Sequence, residues 1–191
     1  MNPKATLYMA NGKKVVIELL PESAPNTVNS FIHVASQGLM DNHTIQRIVP
    51  GNWVDISYNA FGKKDAQYLI PNEFKLNPEI EPLESHPGVV CMGGYGAAGL
   101  ASCEFFFPLR DCPDHKGIYP VFGRVLEGMD EIYRMEKVKT IPVAFPIEGV
   151  EVNEPVEPEI ILRVELELYG QTYPEPIKVE NPELPPCWTD M

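Results

Sequence analysis

The chain has 191 residues, of which 44% are hydrophobic, which suffices for one domain with a substantial core and is short for two. Its formal net charge of −12 argues against nucleic acid or an anionic membrane surface as a partner, because both need a cationic protein face. No apolar run is long enough to cross a bilayer, and the polar first fourteen residues do not resemble a signal peptide. We therefore expect a cytoplasmic protein, with the four cysteines reduced in its core because none forms a C-x-x-C pair.

The first 39 residues predict a β-hairpin followed by a helix. Residues 5–9 and 14–20 are apolar and β-prone, and Asn11-Gly12 between them is a strong hairpin signal. Apolar side chains then recur at the i, i+3, i+4, i+7 spacing of a helix: Val28, Phe31, Ile32 and Ala35. Ser23 is placed to cap this helix.

The middle and end of the chain predict many short strands and one more helix. The β-like segments are 44–49, 52–57, 88–92, 104–107 and 119–125. The second helix is expected near 128–138, with these residues on its buried side: Met129, Ile132, Tyr133 and Met135. Residues 160–168 alternate between apolar and charged, which is typical of a half-buried strand. Many strands and two helices favour a closed or nearly closed barrel with helices at its ends, since closure removes exposed strand edges.

The charge and the prolines are concentrated near the C-terminus. Residues 141–191 contain 11 acidic and 2 basic residues, together with 9 of the 20 prolines. We expect a barrel domain over 1–170 and an acidic, proline-rich tail over 171–191 that is too polar to form a core alone. One hypothesis is that this tail lies across the barrel or fills a cleft of a neighbouring molecule.

Two motifs suggest a cofactor or a metal, and neither is convincing. The stretch GYGAAG at 94–99 matches a dinucleotide-binding loop, but LASCEFFFP follows where that motif requires a helix. The stretch DCPDH at 111–115 offers metal ligands without a second ligand pair at a matching spacing. We expect no cofactor and no metal.

Five segments carry a resemblance to a known family. In chain order they read APNTVNSF, IQRIVPGNWVDISY, VVCMGG, SCEFFF and VFGRVLEGMD. In order and spacing they resemble the cyclophilin-type peptidyl-prolyl cis-trans isomerases over residues 5–140, and the strand at 159–169 fits the closing strand of that family. The resemblance implies a mainly β fold: a closed, eight-stranded antiparallel barrel capped by two helices.

The resemblance also implies a substrate cleft. The family's catalytic arginine falls on Arg47, and the phenylalanine of its proline pocket falls on Phe106. Trp53 and Met92 would complete the apolar pocket. Further substrate-contacting positions depart from the family's usual residues: Asn52, Asp55, Gly93, Gly94, Glu104, His115 and Tyr119.

Two of these departures place carboxylates near the arginine. If Asp55 and Glu104 replace neutral amides, we expect Arg47 to pair with at least one of them, which would weaken it as a hydrogen-bond donor and slow catalysis. The sequence therefore predicts a monomeric prolyl isomerase of reduced activity that acts on proline-containing peptides or unfolded proteins. The alternatives are a non-catalytic module that binds proline peptides, in the manner of a chaperone, and an interaction protein that works through its tail.

Overall fold

The computed structural model describes residues 1–189. These residues form twelve strands: β1 (Lys4–Met9), β2 (Lys14–Leu19), β3 (His43–Thr44), β4 (Arg47–Val49), β5 (Trp53–Asp55), β6 (Leu69–Ile70), β7 (Val89–Gly94), β8 (Leu100–Pro108), β9 (Val121–Glu127), β10 (Thr140–Pro142), β11 (Asn153–Pro155) and β12 (Ile160–Glu167). They also form four helices: α1 (Pro25–Ser36), α2 (Glu73–Leu76), α3 (Met129–Met135) and α4 (Pro186–Thr189). None of the helices in this part of the chain is long and apolar enough to span a bilayer.

Ten of the strands form one curled antiparallel sheet rather than the expected closed barrel of eight. Its order is β3-β12-β1-β2-β9-β7-β8-β5-β4, with β6 paired to β8. The expectation was wrong in strand count and in closure, because within residues 1–189 no ladder joins β3 to β4. These two edge strands are consecutive in the chain, and the backbone N–H groups of Ile45 and Gln46 between them bond to Glu159 and Ile56. The segment that runs from β3 through Ile45 and Gln46 to β4 is bent, so it supplies both edge strands of the sheet.

Strand β8 separates the core from a second apolar cluster. Its side chains alternate between the two faces of the sheet, so Phe105 and Phe107 point the same way and Phe106 points the other way. Phe105 lies in the main core against Phe31 of α1 and Phe122 of β9, with ring centroids 5.4 and 6.4 Å away. Phe106 packs instead in a small cluster on the opposite face. Three consecutive phenylalanines therefore serve two different surfaces.

Helix α1 is not capped by Ser23. The N-cap residue is Ala24, which makes no side-chain hydrogen bond. The buried carboxylate of Glu73 in α2 accepts from the backbone N–H groups of Asn26 and Thr27, at 3.2 and 2.7 Å. An acid 46 residues away from Thr27 in the chain thus satisfies the open end of the helix.

Helix α3 confirms the second predicted helix but not its whole buried face. Ile132 and Met135 are buried as expected, whereas Tyr133 is 41% exposed. Glu131 is buried in this helix, where Asn11 and Arg134 donate hydrogen bonds to it. A paired carboxylate occupies a position that the hydrophobic pattern did not identify.

Residues 177–188 lie against the sheet and helix α1. The backbone N–H of Ile177 donates to the side-chain oxygen of Asn26 at 2.7 Å, and that of Val179 donates to the Leu69 carbonyl at 2.8 Å. Trp188 is 2% exposed and belongs to the main hydrophobic core. This segment therefore packs along the curled sheet, which agrees with the first alternative for the tail, that it lies across the domain.

Candidate active site

A cleft of about 810 Å³ lies on the face of the sheet that carries Phe106. The predicted site residues that line it are Arg47, Trp53, Asp55, Gly93, Gly94, Glu104, Phe106, His115 and Tyr119. Met92 is paired in register with Phe105, so it shares the core face of the sheet and is fully buried there. Asn52 lies outside the lining residues and accepts a hydrogen bond from Arg110.

The hairpin of β4 and β5 positions Arg47. Arg47 and Asp55 stand opposite each other in the ladder, and Nη1 of Arg47 lies 3.1 Å from Oδ2 of Asp55. The Nε–H of Arg47 donates to the Glu151 carbonyl at 2.6 Å, and its guanidinium carbon lies 5.4 Å from the Trp53 ring centroid. These two hydrogen bonds use two of the five guanidinium N–H donors. The side chain is therefore fixed in place while donors remain for a ligand.

The Arg47–Asp55 pair is partly shielded from water. The side chains are 14% and 16% exposed, respectively. Burial raises the pKa of Asp55 to about 6, although the positive charge of Arg47 acts in the opposite direction. Asp55 therefore neutralises Arg47 at pH 7 and releases it as the pH falls below about 6.

Four aromatic rings form an apolar pocket beside Arg47, which we call the aromatic pocket: Trp53, Phe106, His115 and Tyr119. The ring of Phe106 lies 5.7 Å from that of His115 and 5.8 Å from that of Tyr119. Burial lowers the pKa of His115, so its ring is uncharged at neutral pH. The pocket therefore presents a largely apolar, uncharged surface that suits a small apolar ring.

Glu104 has a different role from Asp55. It precedes Phe106 by two residues on β8 and so shares its face of the sheet, where it is 4% exposed. Its carboxylate accepts hydrogen bonds from the Ala60 backbone, the Tyr95 hydroxyl and the Trp188 indole. Burial raises the pKa of Glu104 to about 8 even though these three bonds favour the carboxylate. Only Asp55 of the two suspected acids makes the expected ion pair with Arg47.

Two segments that contain none of the predicted site residues complete the cleft. The loop between β10 and β11 contributes Phe145, Ile147 and Val150, and Phe145 stacks edge-on against Tyr58 at 4.9 Å. The tail contributes residues 183–186. The apolar residues within these acidic stretches were the available signal, but neither stretch has the regular spacing that reveals a buried face.

Comparison with known proteins identifies a family. The family model described as cyclophilin type peptidyl-prolyl cis-trans isomerase/CLD matches residues 5–175. The peptidyl-prolyl cis-trans isomerase-like 1 of Gibberella zeae is 33% identical over 140 residues, which cover 72% of this chain and 85% of that protein. Peptidyl-prolyl cis-trans isomerase B of Bacillus subtilis is 28% identical over 123 residues, covering 64% and 82% of the two chains.

Solved structures agree on the fold. A cyclophilin type peptidyl-prolyl cis-trans isomerase from Cryptosporidium parvum superposes with a TM-score of 0.67 at 16% identity, covering 87% of this chain and 98% of that one. Its structure determined in the presence of the dipeptide Ala-Pro superposes with a TM-score of 0.65.

Proposed function

This chain belongs to the cyclophilin-type peptidyl-prolyl cis-trans isomerase family, and from that premise we propose that it isomerises X-Pro bonds of peptides and unfolded proteins at the Arg47 cleft. The observation that carries the proposal is a fixed guanidinium with unused N–H donors at the edge of the aromatic pocket. The remaining steps follow from the chemistry of the amide bond.

Isomerisation needs a twisted amide to be bound better than a planar one. Resonance holds the peptide C–N bond planar with a barrier of about 18–20 kcal/mol, and no covalent bond is made or broken when it rotates. In the twisted state the prolyl nitrogen regains its lone pair and becomes a hydrogen-bond acceptor. A guanidinium N–H of Arg47 aimed at that nitrogen stabilises the twisted state selectively.

The aromatic pocket would hold the proline ring while the rest of the bond turns. Phe106 provides its base and is 6% exposed, with Trp53 and Tyr119 packed against the same cluster. Binding the ring in an apolar pocket removes its surface from water, and neutral His115 adds no charge that the ring would have to desolvate. Of the positions proposed to contact substrate, Met92 and Asn52 would act only indirectly, through the sheet and the loop that carry them.

The Asp55 carboxylate is expected to slow this reaction at neutral pH. Its Oδ2 lies 3.1 Å from Nη1 of Arg47 and compensates the positive charge of the guanidinium. This weakens the remaining N–H groups of Arg47 as hydrogen-bond donors to the prolyl nitrogen. The Arg47–Asp55 ion pair also supports the second candidate function, a non-catalytic module that binds proline peptides. We rank catalysis first because donors of Arg47 remain available.

The proposed setting is a cytoplasmic monomer. All four cysteines are unpaired and buried, as is usual in a reducing compartment. The net charge of −12 supports peptides rather than nucleic acid or anionic lipid as ligands.

Exchange NMR on a short X-Pro peptide tests the proposal, because it detects slow turnover. Wild-type protein should produce cis/trans exchange peaks, and Arg47→Ala should lower kcat/KM at least about tenfold, a change of ~1.4 kcal/mol in barrier. The control is Arg124→Ala, which removes an exposed arginine paired with Glu18 away from the cleft. Peptide shifts without exchange peaks would favour the binding module, and equal rates for wild type and Arg47→Ala would remove the arginine from the mechanism.

A further inference from the structure

The C-terminal segment forms one side of the cleft. Residues Glu183–Pro186, which we call the tail wall, line the same cavity as Arg47 and the aromatic pocket. Pro185 is buried against the protein, and Glu183 is exposed. The cavity includes both the tail wall and the aromatic pocket, so the segment lines the cleft and leaves the pocket accessible.

A specific polar anchor holds the tail wall. The indole N–H of Trp188 donates to Oε1 of Glu104 at 2.6 Å, across 84 residues of sequence. The Tyr95 ring meets the Trp188 ring edge-on at 5.7 Å, and its hydroxyl donates to the other oxygen of Glu104. The Trp188 carbonyl accepts from the side chain of Gln67 at 3.0 Å. The anchor thus connects the tail to β8, which also carries Phe106.

Two glycines of β7, Gly93 and Gly94, also line the cleft. A Cβ on Gly93 would lie 2.6 Å from the Glu104 carbonyl oxygen, and one on Gly94 would lie 2.9 Å from the Leu100 side chain. These contacts are with the protein itself, so both positions require glycine for close packing against neighbouring backbone, and neither adds a side chain to the cleft. A cleft of about 810 Å³ is in the range that holds ligands considerably larger than one proline ring.

We propose that the tail wall is part of the peptide-binding surface and contacts the residues that flank the X-Pro bond. Trp188 is the positioning residue that keeps the wall in place through Glu104. The inference rests on the proposed peptide-binding function of the cleft and adds a second contact region to it. It follows that peptides long enough to extend from the aromatic pocket to the tail wall gain affinity from the tail wall.

Binding of two peptides of different length tests the inference. The variant is Trp188→Phe in the full chain, which keeps an aromatic side chain and removes the N–H that reaches Glu104. Dissociation constants are measured by NMR titration for a capped X-Pro dipeptide and for a hexapeptide with the same X-Pro bond at its centre. We expect Trp188→Phe to weaken the hexapeptide about tenfold and to leave the dipeptide within about twofold.

Tyr68→Phe is the matched control. It also removes one hydrogen-bonding group, the hydroxyl paired with Ser30, from a buried aromatic residue, and Tyr68 is not among the residues that line the cleft. It should change neither constant. A general loosening of the fold by Trp188→Phe would weaken both peptides alike, whereas loss of the wall weakens only the longer one.

A variant of the wall surface covers the case in which Trp188→Phe does not fold. Leu184→Ala shortens a half-buried side chain that lines the cleft and leaves the Trp188–Glu104 bond in place. It should reproduce the selective loss for the hexapeptide. Equal loss for both peptides, no loss, or tighter binding would overturn the inference, and tighter binding would identify the tail as a competitor.

The outcome is separable from that of the proposed function. Selective loss of hexapeptide affinity in a protein that produces no exchange peaks would support the tail wall and reject catalysis. Exchange peaks together with an equal effect of Trp188→Phe on the two peptides would support catalysis and reject the tail wall.

Discussion

Replacing Asp55 with asparagine is predicted to increase the rate of isomerisation at neutral pH. The carboxylate lies 3.1 Å from Nη1 of Arg47 and compensates its charge, whereas an asparagine keeps an oxygen acceptor there without charge. Burial raises the pKa of Asp55 to about 6, so the group changes its charge within the range in which the enzyme can be assayed.

The size of the effect follows from that pKa. With a pKa of about 6, the protonated fraction of Asp55 falls from about nine-tenths at pH 5 to about one-tenth at pH 7. If the form with neutral Asp55 is the active one, wild-type kcat/KM falls about tenfold over this interval, or ~1.4 kcal/mol in barrier. Asp55→Asn should show no such fall and should exceed wild type about tenfold at pH 7.

Exchange NMR at pH 5, 6 and 7 measures both profiles on one peptide. Glu18→Gln serves as the control, because Glu18 is a carboxylate of similar exposure, 17%, paired with Arg124 outside the cleft. Its profile should match wild type. Glu104 and His115 remain in every variant, so the difference between profiles reports the loss of the Asp55 charge, including the rise that this charge causes in the pKa of Glu104. A slower Asp55→Asn enzyme at pH 7 would refute the reasoning and show that the carboxylate orients Arg47 productively.

Three further predictions concern the pocket, the anchor and the charge of the cleft. Phe106→Ala should weaken X-Pro peptide binding about tenfold or more in NMR titrations, since it removes a buried ring that the proline would cover, and unchanged affinity would place the proline elsewhere. Burial raises the pKa of Glu104 from 4.5 to about 8, so the folded state holds its proton more tightly than the unfolded chain does. The free energy of unfolding should therefore fall as the pH rises from about 4.5 to 8, by up to a few kcal/mol more in wild type than in Glu104→Gln. Urea titrations near both ends of this pH range would contradict the prediction if the free energy of unfolding changed equally in wild type and in Glu104→Gln. Exposed Glu148 and Glu183 line the cleft, so lysine-flanked X-Pro peptides should bind more tightly than glutamate-flanked ones, and raising the salt should remove the difference. Salt-independent affinities would mean that these charges do not reach the ligand.

The centre of the site could be predicted because local sequence determines it. Arg47 stands in a short strand before a Pro-Gly turn, and the turn that returns the chain places Asp55 directly opposite. In β8 the period of two residues is enough to put Glu104 and Phe106 on one face of the sheet.

The same period explains one residue that does not line the cleft. Met92 was expected to form part of the apolar pocket, but its neighbour Cys91 pairs with Phe106 and lies on the same face of the sheet as Phe106. Because successive residues of a strand face opposite sides of the sheet, Met92 faces the core.

The outer parts of the cleft depend on contacts between distant residues. The Trp188–Glu104 bond joins the tail to β8, and the Arg47–Glu151 bond joins the β10–β11 loop to β4 across 104 residues. Both segments are rich in proline and acid, a composition typical of solvated chain, and the buried tryptophan and aromatic contacts that hold them have no periodic pattern. Closure of the sheet was mispredicted for a related reason, since pairing of the edge strands depends on how the chain bends at Ile45 and Gln46.

The most direct test of the central claim is to locate the proline ring while the bond is turning over. Nuclear Overhauser effects between proline ring protons of the peptide and the Phe106 ring can be recorded on a wild-type sample that also produces cis/trans exchange peaks. The account predicts such effects to Phe106 and to Tyr119, and their loss together with the exchange peaks when a tighter proline peptide is added. Exchange that continues without any contact to these rings, or contacts mapped to another face of the sheet, would contradict the assignment of this cleft as the active site.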